Sequence, residues 1–477
     1  MRTAVVIFNF PAYWAFLDQT SRSLISAVIK ELDGEISRVV CIFYLVLRGL
    51  DTIEDDMSID IQQKETLLKS FYVFMYQKLD QPSWNFDGCS PTEKDRNLLV
   101  EFDQVISEFQ ILELKYRTII IDVPARMGSG MARFARTAVE GGGVFSIDSM
   151  GAFDGYYHYV AGLVGEGLSR LFSESGKESA ELELQLRLSN SMGLLLQRTN
   201  ILRDFREDVD AGRMFWPEAI WAKWVNGPSL LALPQYQKQA RWALTEMTID
   251  ALAHATDALE YLPLLKNQSV FNFCAIPQVM AIATLKLCFD NLDVFHKNVK
   301  IRRSLMALLR YLYFPLLPPL ISKAVNPRDL SYIFVDFAHR IHQRADPSDP
   351  NYLKLCVLVG KIVAWAESRY PSFTTPANPP PLYSDEPIAS NIQDVRVHQQ
   401  PALRRIGLPP PAALSPKQPP KMGLDDLKFI VIIVSSVLAL ILAVSAILGS
   451  LVYLATKTPD TSISNFTLPL TSWRIEL

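Results

Sequence analysis

Two short acidic segments, each directly after an apolar segment, constrain the fold of this 477-residue chain more than any other feature. DTIEDD (51–56) follows CIFYLVLRGL, and DFRED (204–208) follows SMGLLLQRTNIL. In a helix, Asp51, Glu54 and Asp55 stand at i, i+3 and i+4 and therefore share one face. Because like charges at this spacing destabilise a helix, each acidic segment requires a cation or basic side chains between its carboxylates.

The acidic segments also predict a chemistry. Their carboxylate oxygens suit Mg²⁺, which keeps several waters and binds through a few carboxylates and substrate phosphates. Arg48 precedes Asp51 by three residues, and Arg203 directly precedes Asp204, so guanidinium groups are available for phosphate oxygens. Two facing motifs above an apolar cavity could hold diphosphate groups. The alternative is a solvated acidic helix face with internal ion pairs, which explains one such motif better than two.

The remainder of residues 21–370 predicts an all-α catalytic domain. Apolar residues recur at three- and four-residue spacing in segments such as ISAVIKEL and MTIDALAHATDALEYLPLL, and no long alternating strand pattern or Gly-rich strand-to-helix turn is present. With 49% hydrophobic and 20% charged residues the chain can bury a large core. The net charge of -3 argues against nucleic-acid binding, and five scattered cysteines argue against a disulfide framework or a zinc site.

The C-terminal part predicts a tether followed by a membrane anchor. Thirteen of the 30 prolines fall between residues 371 and 420, where they prevent a continuous helix. The 26 residues from Phe429 to Leu454 carry no charge and are long enough to cross a bilayer. We therefore expect a Pro-rich linker (371–427), a transmembrane helix (428–455) and a lumenal tail (456–477).

Flanking charges predict the orientation of this anchor. Lys417, Lys421 and Lys428 precede the apolar run, and only Lys457 follows it closely, so the catalytic domain should face the cytosol. The first 20 residues read as a short N-terminal segment. A cleaved signal peptide is the alternative there, but Asn9, Pro11 and Asp18 interrupt its apolar run.

Four blocks of the sequence resemble those of the squalene synthase family, the farnesyl-diphosphate farnesyltransferases. They are YLVLRGLDTIEDDM, HYVAGLVGEGLSRLF, QRTNILRDFREDVDAGRMFWP and NQSVFNFCAIPQVMAIATL. The resemblance implies the isoprenoid synthase fold and a two-step reaction, in which two farnesyl diphosphates give presqualene diphosphate and then squalene. It implies Mg²⁺, with Mn²⁺ as a substitute, and NADPH as cofactors. It also implies an endoplasmic reticulum location, with the bilayer and other sterol-pathway enzymes as partners.

The resemblance assigns roles residue by residue. Asp51, Glu54, Asp55, Asp204, Glu207 and Asp208 match the two magnesium motifs. Tyr159 matches the tyrosine that handles a proton in the first half-reaction. Arg22, Arg48, Arg203, Lys300 and Arg302 match basic positions near NADPH and the diphosphates. Tyr44, Gln197, Asn200, Phe271 and Phe273 match positions that line the substrate cavity, where aromatic faces stabilise carbocations.

Three glycines stand close together in the predicted helical segment HYVAGLVGEGLSRLF. Gly162, Gly165 and Gly167 each cost a helix roughly 1 kcal/mol, which indicates close approach of either the prenyl chain or a neighbouring helix.

The sequence departs from the family pattern at several positions. The chain begins with MRTAVVIFNF where the family usually has a longer polar leader, and Tyr157 stands where cysteine is common. After Arg302 the usual Lys-Gly is replaced by Arg-Ser, which concerns the NADPH side rather than the acidic motifs.

Two other functions are compatible with parts of this pattern. A phytoene-synthase-like enzyme uses similar acidic motifs without nicotinamide reduction, and Lys300, Arg302 and the predicted anchor argue against it. A tail-anchored scaffold that kept the fold and lost the chemistry is the second. The intact acids of both motifs and the intact Tyr159 argue against that reading.

Overall fold

The computed structural model describes residues 24–76, 84–140, 145–299 and 326–371, all within one unit, Met1–Ser372. Arg22, Lys300 and Arg302 lie outside the described residues, as do the Pro-rich linker and the apolar run 429–454. Within the described ranges the regular structure is almost entirely helical, as predicted.

The described α-helices are numbered in chain order. They are α1 (Leu24–Ile29), α2 (Glu35–Asp55), α3 (Ile61–Phe74), α4 (Arg96–Val100), α5 (Phe102–Ile111), α6 (Leu114–Glu140), α7 (Met150–Tyr157), α8 (Leu163–Glu174), α9 (Leu186–Arg203), α10 (Phe205–Asp210), α11 (Glu218–Trp221), α12 (Gln237–Leu252), α13 (Ala255–Tyr261), α14 (Gln268–Cys288), α15 (Pro327–Gln343) and α16 (Tyr352–Arg369). A π-helical segment, His158–Gly162, joins α7 to α8. Two strands of two residues each, β1 (Phe145–Ser146) and β2 (Arg213–Met214), pair in parallel.

Helices α2 and α9 form the centre of the bundle, and both are buried on most sides. Helix α2 packs against α3, α5, α6 and α8, while α9 packs against α8, α12, α13 and α14. The apolar residues that precede each acidic segment therefore lie in the core. The first acidic segment forms the last turn of α2, and the second begins directly after α9, which places the charged groups at the ends of two central helices.

Local chemistry ends α2 directly after its acidic residues. Asp56 leaves the helix with an extended backbone (φ -74°, ψ 103°). Its carboxylate accepts hydrogen bonds from the backbone N–H groups of Ser58 (2.8 Å) and Ser90 (2.6 Å). These bonds lower the pKa of Asp56, although burial acts in the opposite direction as the largest single influence. Asp56 therefore serves the turn, while the other acids of the segment stay on the helix.

Helix α14 illustrates why apolar character alone does not identify a membrane span. Among the described helices it is long and apolar enough to cross a bilayer, yet most of it is buried inside the bundle. It packs against α9 and α15 and is capped by Asn267, whose side chain accepts from the backbone N–H groups of Ser269 and Val270. Helix α14 is accordingly a core helix, and Pro277 within it faces the cavity described below.

The glycines of α8 and the preceding π-helical segment permit contact with protein neighbours. A Cβ atom on Gly165 would lie 2.0 Å from the carbonyl oxygen of Ser189 in α9, and one on Gly162 would lie 1.9 Å from Oδ1 of Asn190. On Gly167 it would lie 2.7 Å from the ring of Phe43 in α2. Of the two explanations for these glycines, the structure supports the neighbouring helix.

This contact generates a stability prediction. Gly165→Ala should lower the free energy of unfolding by about 1–3 kcal/mol or more, because the new methyl group meets a backbone carbonyl that cannot rotate away. Gly360→Ala is the matched control, since that glycine lies in helix α16 with no atom near the added Cβ. It should stabilise the protein by about 0.5–1 kcal/mol through helix propensity. Urea unfolding monitored by circular dichroism measures both; equal effects would contradict the packing explanation.

Candidate active site

The first acidic motif occupies the last turn of α2. A helix C-terminus carries partial negative charge, so three carboxylates there are unfavourable without cations nearby. The guanidinium group of Arg48 lies 3.8 Å from Asp51 and is held by Asp95 at 2.5 Å. The hydroxyl of Tyr156, in α7, donates to Oε1 of Glu54 at 2.9 Å. The motif is thus tied to two other parts of the bundle.

Burial makes these carboxylates reluctant to ionise in the free protein. It raises the pKa of Asp51 to about 7, with Arg48 opposing this rise and Asp55 adding to it. It raises the pKa of Glu54 to about 8, assisted by the neighbouring charges of Asp55 and Asp51. Desolvation and the neighbouring negative charges thus both raise these pKa values, and a cation that binds between the carboxylates favours their ionised form.

The second acidic motif spans a break between two helices. Helix α9 ends at Arg203, whose guanidinium group donates two bonds to the Asp204 carboxylate, at 2.7 and 2.6 Å. Asn298 donates a further bond to Asp204 at 2.5 Å. Asp208 is buried, and burial raises its pKa to about 7. Glu207 is exposed to solvent, so within this motif Asp204 and Asp208 are the sheltered carboxylates.

Arg213 connects the two acidic motifs and was not singled out in the sequence. Its Nη1 donates to Oδ1 of Asp55 at 2.9 Å, and its Nη2 donates to Oδ1 of Asp208 at 3.3 Å. Gly212, at φ +72°, turns the chain back after α10, and the pairing of β2 with β1 fixes the residue that follows. The signal for it was indirect: two acidic helix ends brought together require a basic side chain.

An apolar cavity of about 320 Å³ lies beside the motifs, between α2, α8, α9 and α14. Of the five residues that the resemblance assigns to the substrate cavity, Tyr44, Asn200 and Phe273 line it, as does Arg203 from the basic set. The other two of the five, Gln197 and Phe271, are not among its lining residues; Gln197 is half-buried and Phe271 is buried. Burial raises the pKa of Tyr44 to about 12, so this phenol stays neutral beside the cavity. The cavity therefore has mostly apolar walls, and Arg203, the charged residue among its lining residues, pairs with Asp204 of the second motif.

Tyr159 lies in the π-helical segment between α7 and α8. Its ring is half-buried and lies so close to Gly130 of α6 that a Cβ there would be 2.3 Å from the ring. The guanidinium carbon of Arg133 is 5.4 Å from the ring centroid. Single π-helical turns often occur at functional sites, because they shift one side chain out of the helical register. No sequence pattern indicated this turn.

The carboxylates of the site form an open set of possible metal ligands. Within the described ranges, no group of three or more His, Cys, Asp and Glu side chains converges as a closed ligand set. The carboxylates instead form two separate motifs bridged by a guanidinium group. Such an arrangement suits a cation that completes its coordination with water and substrate oxygens, as Mg²⁺ does.

Comparisons with known proteins agree with this geometry. Residues 17–304 match the family model of squalene/phytoene synthase. A squalene synthase of Ganoderma lucidum is 48% identical over 371 residues, which cover 76% of each chain. The chain belongs to the squalene synthase family. The human squalene synthase is 44% identical, with 73% of this chain and 78% of that enzyme covered.

A third relative and a solved structure extend the comparison. The squalene synthase of Mycosarcoma maydis is 50% identical over 382 residues, which cover 76% of this chain and 64% of that longer enzyme. A structure of TcSQS with the ligand BPH1237 has a TM-score of 0.67 at 36% identity, and covers 75% of this chain and 98% of that chain. The fold is thus isoprenoid-synthase-like. As a family member, the chain is a prenyltransferase of isoprenoid and sterol biosynthesis.

The bridging arginine gives a testable consequence in the metal-free protein. Arg213→Met leaves Asp55 and Asp208 without their shared cation, so the free energy of unfolding should fall by about 1–3 kcal/mol, less than for a fully buried pair. Adding Asp208→Asn to this variant should recover part of the loss, because one unpaired carboxylate is removed.

The control for this prediction is Arg206→Met. Arg206 pairs with the exposed Asp210 four residues later on the same short helix, so its loss should change stability by less than about 1 kcal/mol. Urea unfolding in the presence of a chelator measures the two single variants Arg213→Met and Asp208→Asn, their double variant and the Arg206→Met control. Additive effects of Arg213→Met and Asp208→Asn would show that the two residues do not interact.

Proposed function

We propose that this chain joins two farnesyl diphosphates head to head to give presqualene diphosphate, and then reduces that intermediate with NADPH to squalene. The observation that carries the proposal is the pairing of two bridged acidic motifs with an adjoining apolar cavity. Charged diphosphates fit the first feature and branched hydrocarbon chains fit the second. The family membership of the chain supports the same assignment.

Magnesium fits the residues at the acidic end. Asp51, Asp55, Asp204 and Asp208 would hold the ions, with Glu54 and Glu207 beside them. When bound, Mg²⁺ neutralises diphosphate charge and makes the diphosphate a better leaving group. The raised pKa values of Asp51, Glu54 and Asp208 support the fit, since each of these carboxylates gains from a cation. The protein contributes the fixed geometry and excludes water.

The remaining described residues have roles that follow from their positions. Arg48 and Arg203 sit at the two motifs and can turn from their present carboxylate partners to phosphate oxygens. Tyr44 and Phe273 would face the carbocations formed after diphosphate departure, with Asn200 nearby. Gln197 and Phe271 keep the substrate-binding roles that the resemblance assigns to them. Tyr159 would transfer the proton lost as presqualene diphosphate forms, with the departing diphosphate as the acceptor.

The NADPH assignment rests on the sequence. Lys300 and Arg302 match the family's basic positions for the cofactor, and Arg22 matches another. Each would grip a phosphate group by a charge-assisted contact, typically worth about 1.5–3 kcal/mol. This part of the proposal concerns the second half-reaction, in which hydride from NADPH ends the rearrangement to squalene.

The membrane anchor is also proposed from the sequence. The uncharged run Phe429–Leu454, with three lysines before it and one soon after, supports a single C-terminal span. The catalytic domain would then face the cytosol at the endoplasmic reticulum, tethered by the Pro-rich linker. A lipid surface close by suits an enzyme whose product is a water-insoluble hydrocarbon.

Product analysis tests the two half-reactions. The full chain with labelled farnesyl diphosphate, Mg²⁺ and NADPH should make squalene. The double variant Lys300→Ala/Arg302→Ala should accumulate presqualene diphosphate or non-reduced products at ordinary NADPH, since its cofactor affinity falls about tenfold or more. Tyr159→Phe should do the opposite and lose presqualene diphosphate formation while still converting the supplied intermediate.

Three outcomes would count against these assignments. A phytoene-like hydrocarbon that forms with or without NADPH would replace the proposed reaction with a non-reductive one. A normal NADPH response in the double variant would remove Lys300 and Arg302 from the cofactor site. Equal loss of both steps in Tyr159→Phe would remove the specific role of that phenol.

Truncation tests the anchor separately. A truncated chain that ends after residue 371 should be soluble and active, because it keeps all the described helices, the last of which ends at Arg369. The full chain should stay with membranes after a high-salt wash, which removes electrostatically bound proteins. Sedimentation with microsomal membranes measures this, and a truncated protein that still sediments would contradict a single C-terminal anchor.

A further inference from the structure

Arg198 forms a buried joint behind the active site that the resemblance does not assign. It lies on α9, one and a half turns before Asp204, and is only 3% exposed. Its two terminal nitrogens donate to carboxylates on different helices, Asp250 on α12 and Asp154 on α7. Its guanidinium carbon also lies 5.0 Å from the ring centroid of Phe153 on α7. One side chain thus connects three helices.

Helix α7 links this joint to the reacting groups. The ring of Phe153 contacts that of Tyr157 edge to face, with 4.6 Å between the ring centroids, and the ring centroids of Tyr157 and Tyr156 are 5.0 Å apart. Tyr156 in turn donates to Glu54 of the first acidic motif. Directly after Tyr157 the chain enters the π-helical segment that carries Tyr159. Helix α7 therefore lies between the first motif and α9, and its far end positions the tyrosine.

The energetics of such a joint favour a geometric role. A buried cation between carboxylates adds little net stability, because desolvation offsets most of the attraction. Burial raises the pKa of Asp250 to about 6, although Arg198 opposes this rise. The desolvation of this carboxylate is therefore only partly offset by its ion pair. What the arrangement does provide is direction, since a planar guanidinium serves two carboxylates and an aromatic face at fixed angles.

We propose that Arg198 is a positioning residue that sets Tyr159 relative to the second acidic motif. The cavity wall and the motif both move with α9, because Asn200, Arg203 and Asp204 follow Arg198 on the same helix or at its end. What the joint determines is therefore the placement of α7 and the turn after it. This inference rests on the proposed function for its activity readout, and has a second readout that does not.

The activity test compares the Arg198→Lys variant with the wild-type enzyme, both as full-length chains. A lysine ammonium keeps the charge but cannot serve both carboxylates and the Phe153 ring. Presqualene diphosphate formation should fall about tenfold or more in kcat, since small displacements of a catalytic group cost that much, with KM for farnesyl diphosphate nearly unchanged. Conversion of supplied presqualene diphosphate, which does not need Tyr159, should stay within about threefold of the wild-type rate.

Two further variants control for general damage. Arg241→Lys alters another arginine with a long-range ion pair, from α12 to Asp290 in the turn after α14, a pair that includes no residue of α7, and should leave both rates unchanged. Asp154→Asn neutralises one partner of Arg198 and weakens their contact, at a position whose side chain is 61% exposed, so this variant should fold normally. It should show the same selective loss of the first step, at smaller size. Equal loss of both steps in Arg198→Lys and Asp154→Asn would overturn the proposal.

The independent readout is the environment of Tyr159. With 3-fluorotyrosine incorporated, the ¹⁹F resonance of Tyr159, assigned by its absence in Tyr159→Phe, should shift or broaden in Arg198→Lys and not in Arg241→Lys. An unchanged resonance in Arg198→Lys would overturn the positioning role whatever reaction the enzyme catalyses. A wild-type enzyme that forms no presqualene diphosphate would instead refute the proposed function, and the resonance would still decide the role of Arg198.

Discussion

The repulsion between two groups of carboxylates inside an apolar bundle is the constraint on which the site depends. Each group stands at the end of a buried helix, where both the low dielectric and, for the first, the helix dipole oppose negative charge. The protein meets this constraint with guanidinium groups: Arg48 at the first motif, Arg203 at the second and Arg213 between them. In the free protein these cations occupy the surroundings in which diphosphate and metal would bind. In the proposed reaction, ligand binding therefore exchanges one set of ionic partners for another rather than filling a neutral pocket.

The apolar part of the bundle makes this exchange possible by keeping the helices that carry the charges close together. Glycines at the crossing of α8 and α9 allow backbone contact that any side chain would prevent. Close crossing leaves the cavity bounded by α2, α8, α9 and α14, with its charged groups confined to one end. The same helices thus present apolar side chains along the cavity and charged side chains at their ends. That division fits a substrate with one polar terminus.

Much of the described architecture could be predicted from the sequence, because its signals are periodic or local. The helical spacing of apolar residues predicted the all-α class, and the acids at i, i+3 and i+4 predicted that each motif presents its carboxylates on one helix face after an apolar segment. Arg213 was not identified, because its partners, Asp55 and Asp208, come together only through tertiary structure. Arg198 was overlooked for the same reason, since a lone arginine within a helical pattern usually faces solvent. Long-range ion pairs leave no trace in spacing along the chain.

The π-helical segment His158–Gly162 changes the angle between the side-chain faces of α7 and α8. A turn that holds one extra residue rotates everything after it by roughly 100° relative to an uninterrupted helix. The aromatic face of α7 and the glycine face of α8 are therefore out of phase in sequence although they belong to one continuous rod. The insertion lets the first face meet the acidic motif while the second lies against α9. Loss of a single residue here would realign the two faces and turn one of them away from its neighbour, so chain length in this stretch is as constrained as residue type.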